Sequence, residues 1–359
     1  MRNYSIKYYS LDTIHELEHN WLYLQKGFEM TYFQQYAWNS MLAAMSWPKN
    51  RHYEVVFAEV DSDNQPLLIA PLLMMKDNSY HNKPKGCYFF GDQGWSDYCN
   101  LIYKDFDADA VDFLFNSLKT KYGIGRINLS NLKEETSLYG YLIKMGKVVK
   151  DDVTVCVSLD FPSSVEEYNQ LLSKSARQNI RTARNRAAKD GLSLEFCHDE
   201  QYTDVKEFLL YYQRRAEERD RKAVQTMSRG GGIFALHVLA HFFRSLYHKL
   251  TDFFAPEYTP FEDDVNSHFM TIRNAENGEL MAGINYGIST NRGEIVVMAV
   301  SLNEKYKRYS PGMLILYDYI TAQIQKQELY TIDFTRGQEN YKYVLGGAAH
   351  NNHSISMEI

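Results

Sequence analysis

The sequence predicts an α/β chain of two successive domains, residues 1–150 and 151–359, each a twisted mixed sheet flanked by helices. Three observations carry that expectation. At 359 residues the chain exceeds the span of about 100–200 residues usual for one domain. Short apolar runs rich in β-branched residues alternate with segments whose apolar residues recur at helical spacing, the mark of α/β layering. The composition, 45% hydrophobic and 14% aromatic, suits packed cores rather than a disordered chain.

A short strand is expected over 4–8. Leu11, Ile14, Leu17, Trp21 and Leu24 then fall on one helical face, so 11–24 reads as a helix, followed by another over 33–44. Strands 53–60 and 67–75 flank Asp61-Ser62-Asp63-Asn64, whose short polar side chains suit a hairpin loop. Next come a strand near 87–90, a Gly91-Asp92-Gln93-Gly94 turn and a helix over 107–121 with acids in its first turn, where the helix dipole favours them. A strand at 126–129 and a helix over 134–145 complete the first half.

The second half opens with a β-branched strand at 153–159 and a helix start at Pro162-Ser163-Ser164. The following helix, 174–189, holds six cations (Lys174, Arg177, Arg181, Arg184, Arg186, Lys189) and no acid. Spacings of three, four and three place the first four on one face, opposite an apolar stripe of Ala176, Ile180, Ala183 and Ala187. Arg177, Arg181 and Arg184 are therefore candidates for binding an anion, and a solvated basic face is the other reading. A helix is expected over 202–218. Arg229-Gly230-Gly231-Gly232 could cradle phosphate or simply connect, since it lacks the lysine and hydroxyl of a P-loop. Another helix, 234–250, carries His237, His241 and His248; without the glutamate of H-E-x-x-H or a third ligand, no metal is predicted. Residues 251–264 read as a loop able to cover a site.

Strands are expected at 268–273, 280–288 and 294–301, with turns at Asn277-Gly278 and Asn291-Arg292-Gly293. Tyr309-Ser310-Pro311-Gly312 then opens an apolar helix running through Tyr319. A strand at 329–334 leads into Asp333-Phe334-Thr335-Arg336-Gly337, and a short helix carries Tyr341-Lys342. Pro at a first helical turn wastes no hydrogen bond, and Gly lets a backbone or ligand approach closely.

A net charge of −6 points to no global nucleic-acid binding, so an anion site must come from local clustering. Cys87, Cys99, Cys156 and Cys197 are scattered without zinc-like spacing, which favours a reducing compartment. The N-terminal residues lack the apolar core of a signal peptide, and no apolar run approaches 18 residues. The expected location is cytoplasmic, with a peripheral position at the inner face of the membrane as a further option.

Tyr-Ser-Pro-Gly at 309–312, Asp-Phe-x-x-Gly at 333–337 and Tyr-Lys at 341–342 resemble the C-terminal half of an acyl-CoA N-acyltransferase (GNAT) domain. The chain is similar in particular to the CelD-like acetyltransferases of polysaccharide biosynthesis, themselves similar to the Fem peptidyl transferases. Ala70-Pro71-Leu72, Asp97-Tyr98 and the basic helix extend the resemblance upstream. It implies two GNAT-like domains in tandem, an acyl-transfer site in the second, and acetyl-CoA or another acyl-CoA as co-substrate. It places the pyrophosphate at Ser310 and Gly312 with Arg336 nearby, the oxyanion donor on the strand of Met298 and Val300, and a tyrosine, Tyr341, at the departing thiolate. One departure stands out: a single glycine replaces the usual glycine pair of the pyrophosphate loop.

Asp333, Lys342 and Tyr341 are the catalytic candidates, in that order, as proton acceptor, charge stabiliser and proton donor. Trp38, Asp97 and Tyr98 are candidates for acceptor contacts. The expected reaction is amide formation on an amino sugar or other cell-envelope precursor, either a small molecule or an anionic, lipid-linked species at the membrane surface. Two alternatives remain open: a Fem-like transferase using aminoacyl-tRNA, the one nucleic acid the basic helix would suit, and a noncatalytic GNAT-like binding module.

Overall fold

A computed structural model describes residues 2–44, 52–77, 84–92, 94–200, 207, 208, 210–212, 214 and 268–359. The first half supplies β1 (Tyr4–Tyr9), α1 (Glu18–Leu24), α2 (Tyr36–Ala44), β2 (Tyr53–Ser62), β3 (Gln65–Met75), β4 (Gly86–Phe89), α3 (Ala108–Tyr122), β5 (Arg126–Lys133) and α4 (Ser137–Lys144). Asp63 and Asn64 both take left-handed backbone (φ 53° and 62°), closing the β2–β3 hairpin in a two-residue turn, which those two side chains tolerate best. The expected helix over 11–24 is split: Leu11–Leu17 forms a 3-10 segment before α1. The acid-rich helix is capped by Asp107, whose side chain accepts the Ala110 amide.

The remaining elements are β6 (Val148–Asp160), α5 (Val165–Leu171), α6 (Lys174–Lys189), β7 (Leu194–Glu200), β8 (His268–Asn274), β9 (Leu280–Ser289), β10 (Glu294–Leu302), α7 (Pro311–Lys326), β11 (Thr331–Arg336), α8 (Asn340–Val344) and β12 (Ala348–Glu358). The basic helix has the bounds read from its pattern, and Ala176, Ile180, Ala183 and Ala187 are all buried. The sequence did not announce β7 or β12. The expected helices at 202–218 and 234–250, the glycine triplet at 230–232, the three histidines His237, His241 and His248, and the loop at 251–264 lie, in whole or large part, outside the described residues.

Among the described residues twelve strands form one mixed sheet, ordered β1-β2-β3-β4-β5-β12-β6-β11-β10-β9-β8-β7. One hydrophobic core gathers around β1–β5 and α1–α4, and a second around β8–β11 with α6 and α7. Residue 150 falls within β6, and the last strand, β12, is antiparallel to both β5 and β6, seaming the two parts at the middle of the sheet. Buried and partly buried charged and titratable side chains, Lys133, Asp333 and His350 among them, gather near this seam.

Candidate active site

β10 and β11 are parallel partners only from Glu294↔Thr331 to Val296↔Asp333, although β10 continues to Leu302. Beyond Val296 the strands part. On its other side β10 stays paired with β9, with a bulge between Val297 and Ala299 that sets Met298 out of register. A 3-10 segment, Glu304–Tyr309, then turns the chain into α7. Ser310 is its N-cap in a left-handed conformation (φ 49°), and Pro311 fixes the first turn.

Between β10 and the start of α7 lies a cavity of ≈ 230 Å³, lined by apolar Val300, Leu302, Met313 and Leu316 and by Asn303, Lys307, Ser310, Gly312 and Tyr341. Of the predicted residues, Val300, Ser310, Gly312 and Tyr341 thus share one cavity, whereas Met298, Arg336, Asp333 and Lys342 are not among its lining. A Cβ on Gly312 would sit 2.9 Å from Leu302 Cδ2, so the glycine keeps this wall open. Pro311 has no N–H, and the amides of Met313 and Leu314 both return to the Ser310 carbonyl at 3.1 Å. The Gly312 amide is the first-turn donor left for an anion.

Asp333, fully buried, lies in a different cluster. Its Oδ1 accepts the Tyr98 hydroxyl at 2.8 Å and the Thr335 amide at 2.7 Å. Its Oδ2 lies 3.2 Å from Lys133 Nζ, an ion-pair contact without hydrogen-bond alignment. Lys133 also donates to Glu294 at 3.3 Å, and Arg292 joins Glu294 (3.2 Å) to Glu135 (3.1 Å). Burial alone would lower the Lys133 pKa, but the carboxylates of Asp333 and Glu294 outweigh it and raise the pKa above the ordinary lysine value. Burial, with Asp333 beside it, pushes the Tyr98 phenol well above its usual value, so it remains a hydrogen-bond donor. Arg336 pairs with Asp97. The Asp97-Tyr98 pair picked from the sequence therefore meets two further predicted residues, Arg336 and Asp333.

Lys342, 2% exposed, is turned into the loop before its own helix: it donates to the carbonyls of Thr335 (3.2 Å), Arg336 (2.7 Å) and Gly337 (3.1 Å) and pairs with Glu339 at 2.9 Å. Trp38 is a core residue whose indole N–H donates to Ser96 Oγ at 2.9 Å. On the basic helix, Arg177 donates to the carbonyls of Asn169 (2.5 Å) and Leu172 (2.7 Å), closing the end of α5. Arg184 reaches Asp318 at 3.5 Å and lies over the Tyr317 ring, and Arg181 bonds Gln178 on its own helix. Arg186 bonds the Arg308 carbonyl, which ties the helix to the segment leading into α7.

Sequence reading missed Lys133, Glu294 and His350. Each sits on a strand; for Lys133 and Glu294 the available signal was a charged residue at the end of a strand otherwise suited to burial, whereas the polar stretch around His350 carried none.

Residues 174–343 match the family model described as an acetyltransferase (GNAT) domain. No curated protein matches the sequence. Among solved structures, FemX is similar over 98% of this chain and 97% of its own at 10% identity (TM-score 0.59). The C-terminal domain of a putative lysylphosphatidylglycerol synthetase from Agrobacterium fabrum is similar over 96% and 92% at 13% identity (TM-score 0.52). A conserved protein of unknown function from Bacteroides thetaiotaomicron aligns over 100% of both chains at 10% identity (TM-score 0.50). At such identities what is shared is the fold. The parting strands and the helix that follows them lie within residues 174–343, the stretch that matches the GNAT-domain model, and the fold they build is of that type.

Proposed function

We propose that this chain is an N-acyltransferase that draws its acyl group from acyl-CoA and forms an amide on an amino sugar or other cell-envelope precursor in the cytoplasm. The observation that carries this reading is the cavity shared by β10, the α7 N-terminus and Tyr341. Its donor set fits the co-substrate: an apolar wall of Val300, Leu302, Met313 and Leu316 for the pantetheine arm, with Ser310, the Gly312 amide and Lys307 for the phosphates. Bound acyl-CoA supplies a thioester carbonyl open to attack by an amine. Backbone donors of β10 past the bulge are the candidates for the carbonyl oxygen. The Tyr341 hydroxyl delivers a proton to the leaving sulfur. Asp97 and Arg336, paired on the opposite side of the sheet, are the candidates for acceptor contacts.

Gly312→Val tests this directly, because its added methyls would occupy the cavity wall beside Leu302. Acetyl-CoA at about 100 times its dissociation constant should stabilise the native chain by about 2.7 kcal/mol, and the variant by much less. Native protein unmoved by acetyl-CoA and by longer acyl-CoAs would refute the acyl-CoA reading and turn the search to an aminoacyl-tRNA donor or a binding role.

A further inference from the structure

Phe334 packs into the second core against Tyr341, so its neighbour Asp333 faces the other side of the sheet, toward Tyr98. His350 of β12 lies on that side as well. Through Cys156 it shares a sheet row with Arg336, which places it past the Val296↔Asp333 pair at which β10 and β11 part. Its Nε2 is 3.3 Å from the Tyr98 hydroxyl and 3.8 Å from Asp333 Oδ2, and its Nδ1 is 3.4 Å from Ser158 Oγ. The side chain is 20% exposed, so the ring is not sealed from solvent.

The hydrogen bonds favour one tautomer. Tyr98 has one hydroxyl proton and donates it to Asp333, so in the contact with His350 the imidazole Nε2–H must donate to the phenol oxygen. The lone pair then resides on Nδ1. Burial lowers the His350 pKa below its ordinary value; Lys133 adds to the lowering, and Asp333, Glu135 and Glu294 oppose it. The shift favours the neutral ring, the form that can take a proton.

We propose that His350 accepts, at Nδ1, the proton an acceptor amine must lose before attacking the thioester, and that Tyr98 and Asp333 position the ring. This rests on the acyltransferase reading above. An ammonium acceptor gives one proton to Nδ1. The freed lone pair forms the C–N bond as the C–S bond breaks. Tyr341 protonates the leaving sulfur and is restored, through solvent, by the surplus proton on the new amide nitrogen, and the imidazolium returns its proton to water. The products are one amide, one free thiol and one released proton.

Two measurements on the full chain test this. In 15N imidazole spectra, with His350→Gln assigning the resonance, His350 should carry its proton on Nε2 and titrate below about 6.5. Tyr98→Phe, which removes the acceptor, should populate the Nδ1–H form. A proton on Nδ1 in the native chain, or a midpoint at or above that of a free histidine, overturns the proposal. In the second measurement, thiol release from acetyl-CoA with glucosamine should fall about 100-fold or more at pH 7 in His350→Gln and recover as pH rises and the amine loses its own proton. Stabilisation by acetyl-CoA should stay unchanged. Equal rates in native and variant protein also overturn it. If acetyl-CoA does not stabilise the native chain, the acyl-CoA reading fails, and the imidazole spectra still decide the state of His350; they decide alone if glucosamine is not turned over.

Discussion

Lys342 shows how a residue chosen for its charge can serve the backbone instead. A lysine ammonium has three N–H donors, and here they meet three successive carbonyls, from Thr335 to Gly337, in a turn where Thr335 (φ 57°) and Gly337 (φ 103°) both take left-handed backbone. That turn follows Asp333 directly, so the clamp holds the buried carboxylate in register with Tyr98 and Lys133. Lys342→Met keeps the aliphatic length and deletes the donors, leaving buried carbonyls without a partner. We expect a loss of about 3 kcal/mol, read as a lower urea midpoint. A variant with native stability but no turnover would return Lys342 to the catalytic role its sequence position suggested.

Elements whose own residues decide their state were legible in the sequence; those held by neighbours were not. The β2–β3 hairpin, α3 and α6 could be read because turn chemistry, a capping aspartate and an alanine stripe all agree locally. β12 could not, because Ala348-Ala349-His350-Asn351-Asn352 lacks strand propensity and is extended by ladders on both sides. The start of α7 was legible as a Pro-Gly step, but its strain was not: Ser310 sits at φ 49°, ψ 48° and its side chain makes no capping bond. A non-glycine residue there costs about 1–2 kcal/mol, of which glycine's greater freedom in the unfolded chain takes back about 0.5–1. Ser310→Gly should therefore raise stability by about 0.5–1 kcal/mol in thermal or urea unfolding. If acetyl-CoA affinity also survives, the anion contact belongs to the Gly312 amide; if affinity falls, the Ser310 hydroxyl shares it.

At the scale of the whole molecule, the sequence anticipated a division near residue 150, and the family match covers only the C-terminal part, yet the cluster built on Asp333 draws on β5, β6, β10, β11 and β12 together. Part of the candidate site was legible because Ser310, Gly312, Asp333 and Tyr341 lie in one stretch of chain. Lys133 and His350 were not, and Tyr98, though picked from the sequence, could not be joined to Asp333, because all three approach it only through the sheet order, which places β12 between β5 and β6. That order also predicts how the two halves depend on each other. Removing residues 348–359 would leave the facing edges of β5 and β6 unpaired, expose the core around Ile127, Leu129 and Leu132, and strip His350 from the cluster. In amide hydrogen exchange on the truncated chain, both the β2–β3 hairpin and the β8–β9 pair should lose protection, because neither half keeps a complete sheet. Native protection in β8–β9 with loss confined to β2–β3 would show that the C-terminal half stands alone, and that the seam joins two autonomous domains rather than completing one cooperative unit.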